Sequence, residues 1–283
     1  MKIIYSPKCL EYSEPGHPES PERVSLAYDF LKDKFDLLEP KPCSEQGILR
    51  VHTKELLEKV KSGNFYDLDT PALPDIFDYA KLSAGAAILA AGTALKQENT
   101  FSLMRPPGHH VGKDFLSGFC YFNNIAIAVK FVQERLGLGR VAILDIDCHH
   151  GNGTQDIFLG VDNVLYVSLH RHPFYPGTGQ TSEKNCLNFP LRADITEPVY
   201  LKTLQLALEK IREFRPQLLA ISAGFDTYEQ DPIASLGLSE KSYVKIGLAI
   251  NELKLPFFVV LEGGYSQAMP FCIDEFLSGC SKI

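Results

Sequence analysis

Six of the eight histidines in this chain (His109, His110, His149, His150, His170 and His172) fall within one stretch ending at position 172. A solitary histidine is ordinarily a hydrogen-bonded core or surface side chain. A crowd of them interleaved with carboxylates is an inventory for metal binding and proton transfer. The densest segment reads Asp145-Ile146-Asp147-Cys148-His149-His150-Gly151-Asn152-Gly153. While a strand persists, side-chain alternation puts Asp145, Asp147 and His149 on one face. Asp147 and His149 then form a bite for a divalent ion, because zinc takes carboxylate oxygen and imidazole nitrogen at about 2.0–2.2 Å. Acidic residues after strands also serve as helix caps, but a cap does not need three polar side chains in phase. A catalytic metal needs a third protein ligand and an open position. Asp226, closing Ser222-Ala223-Gly224-Phe225-Asp226, is the best candidate for it. Two carboxylates with one imidazole suit zinc or ferrous iron.

Two further groups complete the reactive set. His109 and His110 follow Arg105-Pro106-Pro107-Gly108, where the prolines stiffen the loop and Gly108 permits close backbone approach. Two neutral imidazoles side by side make general acid–base groups if carboxylates or amides orient them. In Glu262-Gly263-Gly264-Tyr265 a phenol follows a flexible turn, and a neutral tyrosine hydroxyl can donate to a developing oxyanion.

These residues need a scaffold that brings them to one place. Short apolar runs occur at Thr100–Met104, Val141–Leu144, Val164–Leu169, Leu218–Ser222 and Phe257–Leu261, with helical periodicity over Asn123–Leu136, Glu197–Phe214 and Ser239–Leu253 between them. Two more helices are expected over Pro21–Phe35 and the alanine-rich Phe77–Gln97. Apolar runs without alternation mean strands buried on both faces, and strands alternating with helices mean a parallel sheet. The expectation is a three-layer α/β/α domain with a central, mainly parallel sheet. Each of the five runs leads into a polar segment carrying His, Asp, Glu or Tyr. In open α/β sheets the carboxyl ends of the strands form the ligand-binding rim.

Composition narrows the classes. With 283 residues, 45% hydrophobic and 22% charged, and with no repeat or polar linker, one globular domain over 1–283 is expected. The 28 basic and 35 acidic residues give a net charge of -7, which disfavours generic nucleic-acid binding. Seven scattered cysteines without a C-x-x-C pair argue against a disulfide scaffold and for a reducing, cytoplasmic setting. No signal peptide is visible in Met1–Cys9. The longest small-apolar stretch, Leu82–Leu95, is too short for a bilayer span of about 20 residues, so no membrane association is expected.

Taken together, Arg105–His110, Gly118–Asn124, Asp145–Gly153, Val167–His170, Pro176–Gly179, Ala223–Asp226 and Glu262–Tyr265 resemble, in order and spacing, the zinc-dependent histone deacetylase and acetylpolyamine amidohydrolase family. The resemblance begins at His17-Pro18-Glu19, and the Glu-Gly-Gly and His-His-Gly-Asn-Gly versions look more like class II and bacterial members than class I. It implies the arginase–deacetylase fold and hydrolysis of an acyl-lysine or similar acylated amine. It implies Asp147, His149 and Asp226 as metal ligands and His110 as the base for water and acid for the leaving amine. His109 would tune charge with Asp145, and Tyr265 would polarise the scissile carbonyl. Phe119 and Tyr175 match the aromatic walls of a substrate channel, with Gly118 letting the chain pass closely. Asp69 matches a rim aspartate that grips the substrate backbone, and Arg23 an arginine near an inner acetate cavity. Asp145, Asp147, His149, Ser168 and Leu169 match a structural potassium site.

Three departures bear on specificity. Asn152 stands where other members carry aspartate, so a neutral amide would orient His110. Ile233 occupies a position where polyamine-selective members can carry an acidic gatekeeper. Little sequence lies between Gly63 and Asp69, where polyamine-type members often have an insertion that narrows the pocket. The leading expectation is therefore deacylation of acyl-lysine in a peptide or protein, with acetylpolyamine hydrolysis as the alternative. A binuclear ureohydrolase would want more carboxylates near Asp226, and a non-catalytic acyl-lysine reader would be expected to lack a ligand or Tyr265. Oligomeric state is not written in the sequence.

Overall fold

The computed structural model describes residues 1–281. Eight strands form one sheet: β1 (Lys2–Ile4), β2 (Asp36–Leu38), β3 (Thr100–Ser102), β4 (Val141–Asp145), β5 (Val164–Arg171), β6 (Cys186–Leu191), β7 (Leu218–Ala223) and β8 (Phe257–Leu261). Their order across the sheet is β2-β1-β3-β8-β7-β4-β5-β6, and every neighbouring pair is parallel. Every residue of β4, β7 and β8 is buried, as apolar runs without alternation require.

Helices cover both faces. One packed group holds α2 (Glu45–Ile48), α3 (Lys54–Ser62), α4 (Ile76–Ala94), α5 (Asn124–Leu136) and α6 (Asn152–Phe158). The other holds α1 (Pro21–Leu31), α7 (Glu197–Phe214), α8 (Glu240–Asn251) and α9 (Met269–Ser281). The α/β expectation therefore holds, with a sheet that is parallel throughout.

Local chemistry sets the helix ends. The Asn123 side chain accepts from the Ala126 N–H to start α5, and Gly137, at φ 68°, ends it in the left-handed region. Ser239 and Ser242 form a reciprocal capping box at the start of α8. α1 stops at Leu31 rather than Phe35, because the chain turns there and enters β2 five residues later. The strands β1, β2 and β6 have no counterpart in the sequence reading. The first two are three residues long, and β6 carries Pro190, which an edge strand tolerates. No helix among the described residues is long and apolar enough to cross a membrane.

Because the ladder is parallel, the carboxyl ends of β3, β4, β5, β7 and β8 share one edge of the sheet. The segments after those ends carry His109, Asp147, Phe174, Asp226 and Tyr265 respectively.

Candidate active site

β4 ends at Asp145, so Asp147 and His149 lie on the following loop rather than in phase along a strand. The reason is local hydrogen bonding. Asp145 Oδ1 accepts the Asp147 N–H (3.2 Å) and Asp147 Oδ1 accepts the His149 N–H (2.8 Å). Each carboxylate folds the chain back two residues on and competes with the ladder. The other oxygen of Asp145, Oδ2, meets His109 Nδ1 (3.1 Å) and the Tyr166 hydroxyl (3.0 Å).

Asp147, His149 and Asp226 do converge. Each offers one ligand atom, and these atoms lie within 4.8 Å of one another. His149 Nδ1 is 3.0 Å from Asp147 Oδ1 and 2.9 Å from Asp226 Oδ2. Ligand atoms about 2.0–2.1 Å from a tetrahedral zinc stand roughly 3.3 Å apart, so the spacing fits a bound ion. The remaining lone pairs are held by the backbone. Asp226 Oδ1 accepts the Cys148 N–H (2.9 Å), and Asp147 Oδ2 accepts the Gly263 N–H (2.8 Å). Asp226 Oδ2 is buried and, despite its closeness to His149, has no partner with hydrogen-bond geometry. An orphaned buried carboxylate oxygen aimed at two other ligand atoms is the signature expected of a cation site.

The electrostatics point the same way. Asp145, Asp147, Asp226 and Glu262 are all fully buried. Burial, reinforced by the Asp147 charge, pushes Asp226 up to about 7. Burial alone would lower His149, but the hydrogen bonds and charges of Asp147 and Asp226 outweigh it and push the imidazole up to about 10. This group of side chains requires positive charge, as a proton or as a metal ion.

The tandem histidines differ from each other. Burial disfavours charge on His109, yet Asp145, Asp147 and Glu262 overcome it and push the imidazole up to about 10. The carboxylates around it therefore favour the charged form of His109. His110 Nδ1 meets Asn152 Oδ1 at 2.7 Å. Burial, then the charge of His109, holds His110 well below its ordinary value. An amide oxygen on Nδ1 fixes the proton there and leaves the Nε2 lone pair available.

A cavity of about 180 Å³ opens over this group. Its walls include Asp69, Gly118, Phe119, Tyr175, Ile233 and Tyr265, so the expected channel residues come together. Gly118 and Phe119 both take positive φ, 60° and 67°. A Cβ at Gly118 would overlap the His110 ring, which is why only glycine fits. The strained backbone at Phe119 is held from behind. Asp69 Oδ1 accepts the Gly118 N–H (3.1 Å) and Thr70 Oγ1 accepts the Phe119 N–H (3.0 Å). Burial, with Asp67 nearby, raises the Asp69 carboxyl. Tyr265 stands edge-on to Phe119, with centroids 5.9 Å apart, and burial keeps its hydroxyl protonated well above the usual range.

Arg23 is buried but does not line this cavity. It donates to Gly264 O (2.6 Å), Glu262 O (2.6 Å) and Glu19 Oε1 (3.0 Å), with its guanidinium 4.7 Å from the Tyr265 ring centroid. Glu19 in turn takes a two-pronged bond from Arg105, at 2.6 and 2.8 Å. Ser168 lies opposite Asp145 in the β4–β5 register, and Leu169 follows it in β5, buried.

Sequence reasoning passed over several contributors. Phe174 stacks on His149 (5.1 Å, 21°) and lines the cavity beside Tyr175; the adjacent pair of aromatics was the available signal. Glu262 Oε2 accepts the N–H groups of Gly108 (2.7 Å) and His109 (3.2 Å), and Oε1 accepts the Ser222 hydroxyl (2.9 Å). Asp231 accepts the Tyr265 N–H (2.7 Å). None of these backbone bonds is marked by a local spacing, because the Gly108, His109 and Tyr265 N–H groups lie far away in sequence from the carboxylates that accept them.

Comparison with known proteins agrees with this geometry. Residues 17–280 match the histone deacetylase domain. A probable deacetylase of Archaeoglobus fulgidus is 38% identical over 95% of this chain and 83% of its own length. The solved HD domain of HDA15 superposes with a TM-score of 0.94 at 30% identity, covering 100% of this chain and 91% of that one. An acetylpolyamine aminohydrolase from Burkholderia pseudomallei superposes with a TM-score of 0.91 at 27% identity, covering 99% and 98%. Agreement of this extent, running from His17 past the last residue of the cavity, makes the chain a member of the histone deacetylase family of deacetylase and amidohydrolase enzymes.

Proposed function

We propose that the chain is a zinc-dependent deacylase that removes an acetyl or other acyl group from lysine side chains. In this reading residues 1–283 act as a single catalytic domain in the cytoplasm. The observation that carries it is the buried convergence of Asp147, His149 and Asp226 beneath an aromatic-walled cavity. These three residues would hold the ion, with zinc preferred and ferrous iron possible on the same donor set. When bound, the ion supplies Lewis-acid polarisation and lowers the pKa of water at the site.

The protein's own groups then divide the work. His110, neutral and with Nε2 free, takes the proton of the attacking water and returns it to the leaving amine. His109, held charged by Asp145, keeps His110 neutral and adds positive potential next to the developing oxyanion. Tyr265, protonated throughout, donates its hydroxyl to the same oxygen. Phe119, Tyr175 and Phe174 cover the apolar stem of the lysine. Asp145 and Ser168, adjacent in register, together with the backbone near Leu169, suit a structural potassium ion.

Acyl-lysine is preferred over acetylpolyamine on one ground. Ile233 lines the cavity without charge. Asp69, among the described residues the one carboxylate there outside the Asp147, His149 and Asp226 cluster, already accepts the Gly118 N–H and the Thr70 hydroxyl on Oδ1. An internal ammonium would thus have to share Asp69 with the loop it holds, since the Ile233 wall offers no anion. The seven free cysteines support a reducing compartment.

The test is a panel of acyl-lysine peptides and N-acetylpolyamines with metal-replete enzyme and with Asp147→Ala. The expected result is one metal equivalent in the pocket, turnover highest on an acyl-lysine peptide, and loss of both metal and activity in the variant. Two metal equivalents, or wild-type turnover by Asp147→Ala, would overturn the mechanism. A polyamine turned over with higher kcat/KM than every peptide would overturn the specificity alone.

A further inference from the structure

Two walls of the cavity meet at one side chain. Asp231 Oδ1 accepts the N–H groups of Ile233 (3.0 Å) and Ala234 (3.1 Å), closing a tight turn on its own loop. Its other oxygen, Oδ2, accepts the Tyr265 N–H (2.7 Å) from the turn after β8. Ile233 and Tyr265 both line the cavity, so one carboxylate joins the side chain that borders the channel to the one that carries the phenol.

The Tyr265 turn has little freedom to settle by itself. Gly264 sits at φ 120°, and a Cβ there would press on Phe225 and Met269 at 2.9 and 2.8 Å. The Tyr265 ring is held by Arg23 at 4.7 Å and by the edge of Phe119 at 5.9 Å. Those contacts orient the ring about its Cα; the bond to Asp231 fixes the main chain from which the ring projects. An Asx turn needs only one carboxylate oxygen, and Oδ1 already makes both of its bonds. The second oxygen is therefore used for the opposite wall.

We infer that Asp231 is a positioning residue: through the Tyr265 N–H it sets where the catalytic hydroxyl stands, and through Ile233 it sets the channel border. The inference rests on the deacylase reading above, in which Tyr265 acts on the scissile carbonyl. The division of labour between the two oxygens makes it testable. Asp231→Asn keeps an acceptor for Ile233 and Ala234 and turns an amide NH2 toward the Tyr265 N–H, so the turn survives and the bond between the walls is lost.

The experiment is a double-mutant cycle on metal-replete enzyme with an acetyl-lysine peptide, combining Asp231→Asn with Tyr265→Phe, alongside amide hydrogen exchange across the Gly263–Ser266 segment. Displacing a catalytic group by a fraction of an ångström to 1 Å costs about 10- to 100-fold, so Asp231→Asn should lower kcat by that factor with KM little changed and metal content intact. In the Tyr265→Phe background the same change should cost less than about threefold, because the group it positions is already gone. The Tyr265 amide should exchange faster in Asp231→Asn than in the wild type. Additive losses in the cycle, wild-type kcat, or unchanged exchange would each overturn the inference. Asp231→Glu, which keeps the charge but moves it by one methylene, is the second variant, and its loss must likewise vanish with Tyr265→Phe. A wild-type enzyme inactive on every acylated amine would defeat the deacylase reading, while amide exchange would still decide whether Asp231 holds the turn.

Discussion

Asn152 gives His110 an unusual partner for a general base. A carboxylate on Nδ1 would stabilise the imidazolium; an amide oxygen orients the ring with much less of that effect. Burial and the charges of His109 and His149 outweigh the small upward pull of that amide, so His110 stays low and favours the neutral form. Asn152→Asp should reverse the balance. A new anion at hydrogen-bond distance raises the His110 pKa, and a base of higher pKa stays protonated to higher pH. The acidic limb of kcat/KM should consequently move upward in pH, with turnover near pH 6 falling more than turnover near pH 8. A profile superimposable on the wild type would show that His110 is not the group that must be neutral.

Among the secondary-structure elements, the loop through Gly118 and Phe119 is the most tightly specified. It pairs two consecutive left-handed residues with a glycine that touches the His110 ring. Gly118→Ala should cost about 1–2 kcal/mol for the backbone conformation alone. It should also displace His110, so kcat/KM is expected to fall at least about tenfold, while Tm drops by only a few degrees. Thermal melts and steady-state kinetics on metal-replete protein check both, and wild-type turnover would mean that the ring has room to move. The same loop illustrates what the sequence reveals. The strands β4, β7 and β8 are legible because burial on both faces demands apolar runs, and the candidate ligands are legible because they follow β4 and β7 within a few residues. The strands β1, β2 and β6 are too short or too interrupted to leave such a pattern. Asp231, Glu262 and Thr70 escape notice for a different reason. Each accepts a backbone N–H, and any residue type can supply that donor, so no pairing of residue types gives them away.

Across the whole molecule, buried neutral histidines set a limit on acid tolerance. His52 receives the Asn123 N–H on Nε2 (2.9 Å), and its Nδ1 meets Gly112 O at 2.8 Å, so both nitrogens are satisfied by a neutral ring. Burial, only partly offset by the Gly112 carbonyl, lowers it to about 4. Burial, then the neighbouring His150, lowers His170 to about 3. Both folded values lie below the ordinary 6.5, so the unfolded chain takes up protons first as pH falls. The stability contribution is full above about pH 6.5 and is lost progressively toward pH 4, by on the order of 3 kcal/mol for His52. Urea midpoints at pH 7.5 and pH 5 for the wild type and His52→Gln isolate this group, since the metal site is common to both. Equal slopes with pH would rule His52 out as a source of acid sensitivity.

The strand order has a consequence for how the chain comes off the ribosome. β1 to β3 and β4 to β6 are made first, yet they do not adjoin; β7 and β8, made last, are the pieces that fill the gap between β3 and β4. Asp147 and His149 are thus synthesised long before Asp226, and Tyr265 comes later still, on the far side of the final strand. A nascent chain that has reached α6 carries Asp147 and His149 beyond a β4 strand whose two neighbours, β5 and β7, are still to be made. Asp147, His149 and Asp226 cannot meet until β7 has joined β4, so a polypeptide that holds an ion among them is one whose synthesis has passed β7.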